Sequence, residues 1–139
     1  MLTIALAKGR LSEDCIEVFE KCGLDCTQLR QPERRLELYD KNRGYKFLLV
    51  KPGDVPTYVE HGVADIGVVG KDTLLEENRP LYEMLDLGFG KCRLCLAGKP
   101  DALKNSDWKI LRIATKYPNI ARSYFQQKGR TIEVIKLNG

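Results

Sequence analysis

Lys8-Gly9-Arg10 places two cations around a glycine, directly after the apolar run 2–7 and directly before a helical pattern. Between a strand end and a helix N-terminus, main-chain N–H groups and the helix dipole favour an anion, which makes this tripeptide a candidate phosphate contact. The same residues fit a solvated loop with Lys8 and Arg10 facing water, and from the tripeptide alone the two readings stand equal. A second candidate is Asp65-Ile66-Gly67-Val68-Val69-Gly70-Lys71-Asp72, an apolar strand flanked by glycines that would let a ligand approach the main chain. Its glycine spacing matches neither the dinucleotide fingerprint nor the P-loop, and taken alone the glycines read first as turn residues. Lys51 ends another strand-like run before Pro52-Gly53-Asp54, and its charge would join that of Lys8 if the two strands are neighbours.

Other polar groups carry less chemistry. Thr115-Lys116-Tyr117-Pro118-Asn119 repeats the strand-end, cation and helix-cap order, with Tyr117 free to stack on a base or on nothing. Arg30, Arg34 and Arg35 form a basic cluster whose ordinary explanation is a solvated face. Cys92 and Cys95 have C-x-x-C spacing, but on an alternating strand they face opposite sides, so no metal site is expected. With His61 the only histidine, histidine-based triads and multi-histidine metal sites are excluded. His61 sits at a helix stop, where an imidazole can interact with the helix end.

The elements that must position these groups follow from periodicity and turn signals. The run 2–7 is a strand; Ser12 is the expected N-cap of a helix with Cys15, Ile16, Val18, Phe19 and Cys22 on one face, ended by Gly23. Leu36–Asp40 and Tyr45–Val50 read as strands joined by a Lys41-Asn42-Arg43-Gly44 hairpin turn. Asp54 caps a short helix ending at Gly62, Ile66–Val69 is a strand, and Asp72 caps the next helix. Leu81–Leu87 and Cys92–Ala97 are further strand candidates around Gly88-Phe89-Gly90, where a domain boundary is placed. The strand Leu111–Thr115, a helix capped by Asn119 and running through Gln127, and the strand Thr131–Leu137 complete the pattern. Strands alternating with helices give the α/β class, divided as residues 1–90 and 91–139. A strand closing on Asn138-Gly139 suggests a chain that continues.

Composition narrows the classes of function. A length of 139 residues with 43% hydrophobic content supports a buried core and argues against disorder. No apolar run reaches the length of a membrane span, and the opening residues lack a basic lead and cleavage site, so a cytoplasmic protein is expected. Five cysteines, an odd number, fit free thiols in a reducing compartment. A net charge of +4 is a mild positive bias without a basic tail, suiting phosphorylated small molecules better than nucleic acid.

Several motifs together carry a family resemblance. Ile4-Ala5-Leu6-Ala7-Lys8-Gly9-Arg10-Leu11, Lys51-Pro52-Gly53-Asp54-Val55-Pro56-Thr57-Tyr58-Val59-Glu60 and 64–72 occur in order, followed by Ile113-Ala114-Thr115-Lys116-Tyr117-Pro118-Asn119 and Val134-Ile135-Lys136-Leu137-Asn138-Gly139. In this series the chain resembles the catalytic subunit of ATP phosphoribosyltransferases, closer to the short form. The resemblance implies a fold like type II periplasmic binding proteins: two α/β domains around a cleft, the second incomplete in this chain. It implies condensation of ATP with phosphoribosyl pyrophosphate in the presence of Mg2+, at the first step of histidine biosynthesis. By position it implies nucleotide contacts from Lys8, Gly9, Arg10, Arg34, Asp65, Gly67, Gly70 and Cys92, with Lys51 adding charge at the reacting centre. Lys51 stands where relatives often carry arginine, so the charge is kept and the bidentate fork is lost. The implied partners are ATP, phosphoribosyl pyrophosphate and a regulatory subunit resembling histidyl-tRNA synthetase, in homo- and hetero-oligomers without nucleic acid or membrane. In relatives the loop holding the 5-phosphate follows downstream of residue 139, so this chain alone is expected to be inactive. A non-catalytic small-anion binding module and an interaction or regulatory subunit are the competing readings.

Overall fold

A computed structural model describes residues 1–40, 44–102 and 110–138. The chain divides into two compact units, Met1–Lys91 and Cys92–Gly139. No helix among the described residues is long and apolar enough to cross a membrane.

The first unit is built on β1 (Leu2–Ala7), whose apolar residues from Ile4 to Ala7 are all buried. It lies inside a sheet of order β2-β3-β1-β4, with β2 Glu37–Asp40, β3 Tyr45–Val50 and β4 Ile66–Val68. β1 runs parallel to β3 and to β4, while β2 is antiparallel to β3. Asp40 lies opposite Tyr45, so β2 and β3 form a hairpin; positions 41–43 of its expected turn lie outside the described residues.

Strand alternation divides the core between two faces. Ile4 and Leu6 pack with Cys15, Ile16, Leu29, Leu38, Phe47 and Leu49, under α1 (Arg10–Lys21) and α2 (Thr27–Arg30). Ala5 and Ala7 pack with Val55 and Ala64, under α3 (Val55–Glu60). Helices thus cover both faces, and Ile4–Ala7 and Phe47–Val50 are apolar on both sides for that reason. Asp40, 1% exposed, accepts the Asp25 N–H at 3.0 Å and ties the α1–α2 connection to the sheet.

The helix stops follow glycine chemistry. Gly23 takes φ 81°, with Gly23 N–H bonded to Glu20 O at 2.8 Å and Leu24 N–H to Phe19 O at 3.0 Å. Those two bonds are the paired C-terminal motif that satisfies orphan carbonyls. The starts differ from the sequence reading. α1 begins at Arg10 with Gly9 as its N-cap, placing Ser12 inside the first turn. Likewise α4 (Lys71–Glu77) is capped by Gly70, and Asp72 lies within it, its Oδ1 accepting the Thr73 N–H at 2.9 Å. In both places the backbone turns into the helix at the glycine, ahead of the polar side chain.

The second unit is a βαβ element: β5 (Leu111–Thr115), α5 (Pro118–Gln127) and β6 (Ile132–Lys136), with β5 and β6 parallel. The strands expected at 81–87 and 92–97 do not form among the described residues. Their alternating sequences have no ladder partner there, and Tyr82 and Met84 are 94% and 86% exposed. Alternation gives a segment a two-faced character, but a strand exists only when a neighbour supplies the hydrogen bonds.

Candidate functional site

Parallel register brings the loop cations together. Ala7 pairs with Val50, and the Lys8 N–H continues the ladder by donating to Val50 O at 3.0 Å. The next pair in register is Lys8 and Lys51, on strands about 5 Å apart. After Lys8 the chain turns into α1 on one face; after Lys51 it turns through the 3-10 turn Pro52–Asp54 into α3 on the other. Loops that diverge from neighbouring parallel strands open a crevice at their carboxyl ends, where ligands of α/β sheets bind.

Lys8, Arg10 and Lys51 are exposed and have no ion-pair partner among the described residues. Nearby Lys71, in contrast, is paired with Glu83, and Arg79 with Glu60. Like charges held in adjacent register repel, and a polyanion between them would relieve that cost. Antiparallel β2 adds a further cation: Leu49 N–H donates to Leu36 O at 2.9 Å, so the preceding Arg34 segment enters the sheet at the carboxyl end of β3. Arg34 is exposed and has no ion pair among the described residues. Its neighbours in the sequence cluster are engaged, Arg30 holding Glu20 through two bonds of 2.8 and 2.6 Å and Arg35 lying 3.6 Å from Glu33.

Gly9 has φ 120° and ψ −158°, a conformation open to glycine alone, and nothing lies within 4 Å of where a Cβ would stand. Backbone geometry, not crowding, requires glycine there. No side chain caps α1; the Ser12 N–H bonds to Gly9 O, and the N–H groups of Arg10 and Leu11 remain open among the described residues.

Not every residue named from the sequence gathers here. Asp65 lies at the opposite, amino end of the strands: its Oδ2 accepts the Thr3 N–H at 2.8 Å and its own N–H donates to Thr3 O at 2.9 Å. It closes the β1–β4 ladder, several residues of strand away from Lys8. Gly67 faces α3, where a Cβ would stand 2.7 Å from Val55 Cγ1 and 2.9 Å from Val59 Cγ2, so its smallness serves helix–sheet packing. Gly70 does reach the carboxyl edge, as the cap of α4. Cys92 belongs to the second unit, where it and Cys95 are exposed. Without a strand at 92–97, alternation does not set their thiols on opposite sides. In that unit Tyr117 is the N-cap of α5, its N–H donating to Thr115 Oγ1 at 3.0 Å, with Lys116 Nζ 5.8 Å from its ring centre.

Two thiols are unsuited to chemistry. Burial, helped by the Asp14 charge, pushes Cys15 up to about 11, and burial with the nearby Glu20, Asp25 and Asp40 charges does the same to Cys26. Both remain protonated core residues at neutral pH. Sequence reasoning passed over Ser12 except as a cap. Its Oγ donates to Gly9 O at 2.5 Å, a contact that an S-x-x spacing can signal only once the helix start is known.

Together these features define a mixed α/β protein whose parallel strands present a cationic, glycine-shaped carboxyl edge. The family model of HisG, ATP phosphoribosyltransferase, matches residues 51–139, more than half of the chain. An ATP phosphoribosyltransferase of Ruminiclostridium cellulolyticum is 58% identical, over 99% of this chain and 65% of the relative. That of Lachnospira eligens is 52% identical over the same shares. Among solved structures, an ATP phosphoribosyl transferase (HisG:HisZ) complex from Thermotoga maritima matches with a TM-score of 0.70 at 32% identity, covering 100% of this chain and 65% of that one. The chain belongs to the ATP phosphoribosyltransferase family. It spans about 65% of the length of these curated relatives.

Proposed function

We propose that the protein carrying this chain is an ATP phosphoribosyltransferase that joins ATP to phosphoribosyl pyrophosphate, releasing pyrophosphate, at the first step of histidine biosynthesis. The observation that carries the reading is the register-adjacent pair Lys8 and Lys51, without an acidic partner among the described residues, at the divergence of two loops. In this reaction adenine N1 attacks ribose C1 as the C1–O bond to pyrophosphate breaks. Little covalent help is needed from the protein. Two polyanions must be held in line, and negative charge growing on the leaving group must meet positive charge fixed in advance.

In this reading Lys51 faces the reacting phosphates, while Lys8, Arg10, Arg34 and the open N–H groups of α1 hold nucleotide phosphate. Gly9 keeps the loop low enough for that approach. Asp65 and Gly67 act as structural supports, and Gly70 bounds the site. No group of three or more His, Cys, Asp or Glu side chains that could hold a metal is present among the described residues. Mg2+ would therefore arrive on the substrates' phosphates and screen their charge. The family resemblance supports a fold like that of type II periplasmic binding proteins for the whole protein. A partner subunit and assembly into hetero-oligomers are supported by the Thermotoga HisG:HisZ complex; the family resemblance makes that partner one like histidyl-tRNA synthetase, and a biosynthetic role of this kind supports a cytoplasmic location.

The test is Mg2+-dependent formation of phosphoribosyl-ATP by the whole gene product with its regulatory partner, beside Lys51→Ala and Lys51→Arg. Removing one preorganised positive contact from the reacting centre costs roughly a hundredfold in turnover, so Lys51→Ala should fall by about that factor and Lys51→Arg should retain most activity. ATP binding without any product from the unmutated protein would replace the enzyme with a small-anion binding module.

A further inference from the structure

We infer that Ser12 is a positioning residue that fixes the Gly9–Arg10 peptide plane so that its N–H, and not its carbonyl, faces the bound polyphosphate; this rests on the proposed nucleotide reading of the β1–α1 loop. The Gly9 carbonyl accepts two bonds from Ser12, one from the N–H at 3.0 Å and one from Oγ at 2.5 Å. Both donors belong to the first turn of α1, so the carbonyl points into the helix. In a trans, planar peptide the C=O and the following N–H point in opposite directions, so a carbonyl held inward sends the Arg10 N–H outward. That N–H is one of the open donors at the cationic edge.

A lock is needed at this position. Gly9 has no side chain to hold it, and its φ of 120° lies where the backbone is not fixed by side-chain sterics. Glycine readily visits many backbone conformations, and a flip of this one peptide would replace a donor by a carbonyl oxygen facing the polyanion. The Ser12 N–H bond is shared by any residue in the turn; the hydroxyl bond is what Ser12 adds. Substitution by alanine should loosen the plane, which then keeps only the main-chain bond, while leaving α1 and its apolar face in place. Threonine keeps the γ-oxygen and should keep the lock.

Binding of inorganic tripolyphosphate and of ATP to the whole gene product by titration calorimetry, for wild type, Ser12→Ala and Ser12→Thr, tests this. Ser12→Ala should weaken both ligands about five- to tenfold, less than the full loss of one hydrogen bond to a charged group because the main-chain bond to the Gly9 carbonyl persists, and Ser12→Thr should return them to within about twofold. Where turnover is measured, the loss should appear in KM for ATP with kcat little changed. Equal affinities for wild type and Ser12→Ala, or a threonine variant as weak as alanine, would overturn the inference. A weakening matched by loss of the folded fraction in thermal melts would also overturn it, since that marks a merely structural role. Wild-type protein that binds tripolyphosphate but forms no product would remove the enzymatic reading and leave the Ser12 comparison standing on the binding data.

Discussion

Replacing Gly67 separates a packing glycine from a ligand-binding one. A Cβ at this position would stand 2.7 Å from Val55 Cγ1 and 2.9 Å from Val59 Cγ2, far inside the carbon–carbon separation of about 3.5–4.0 Å at which contact is favourable. Val55 is 1% exposed and packed with Ala5, Ala7 and Ala64, so it has little room to turn away. Forcing one methyl into such a contact costs about 2 kcal/mol, within the 1–3 kcal/mol typical of overpacked cores. For a unit of this size that amounts to a fall in melting temperature of roughly 8–15 °C. Circular dichroism melts of wild type, Gly67→Ala, Val55→Ala and the double variant check it. The double variant should be less destabilised than the sum of the two singles, because removing the Val55 methyls makes space for the new one. Gly67→Ala melting with wild type while binding ATP more weakly would refute this reasoning and return Gly67 to the ligand.

Other expectations concern local chemistry. In the native chain a thiol reagent at neutral pH should modify the exposed Cys22, Cys92 and Cys95, and reach Cys15 and Cys26 only on unfolding. Rapid modification of all five would contradict the buried, protonated state of the last two. Gly9→Ala should cost about 1–3 kcal/mol, measured by urea unfolding, because alanine must adopt a backbone conformation near φ 120°. Glu20 is held below the usual carboxylate range by the hydrogen bonds from Arg30 and then by its charge. A lowered folded value means that this stabilisation is complete above the ordinary carboxylate pKa and is lost as pH falls through the lowered one. Glu20→Gln should therefore flatten the acid side of the stability curve slightly, and added salt should shrink the difference, since both side chains are partly exposed.

The sequence made the first sheet largely legible because the buried stretches Ile4–Ala7 of β1 and Phe47–Leu49 of β3 read as apolar runs. Gly23, Gly62 and Gly129 marked helix ends for a reason visible in composition, and all three take positive φ. The cations at the carboxyl edge were legible as strand-end residues, but their adjacency depends on register, which no local pattern encodes. Register also explains where Asp65 falls: the residue is close in sequence to Gly67 and Gly70, yet the strand direction carries it to the other end of the sheet. The purpose of Gly67 was hidden for a related reason, because the valines it accommodates lie on a helix twelve to eight residues earlier in the chain. Ser12 looked like a cap since serine commonly is one; the chain turned at Gly9 instead, and the hydroxyl found the glycine carbonyl. The segments at 81–87 and 92–97 show the converse, a strand-like alternation with no partner among the described residues to make it a strand.

The most direct test of the central claim compares the two ends of β1 and β4 by measuring ATP affinity in the whole gene product carrying Lys8→Ala, Lys51→Ala or Asp65→Asn. Hydrogen bonds to charged groups are worth about 1.5–3 kcal/mol, so each lysine variant should bind ATP roughly ten- to a hundredfold more weakly. Asp65→Asn, which can still accept the Thr3 N–H, should bind like wild type. Unchanged affinity in both lysine variants together with a loss in Asp65→Asn would contradict the account and move the site to the opposite end of the sheet.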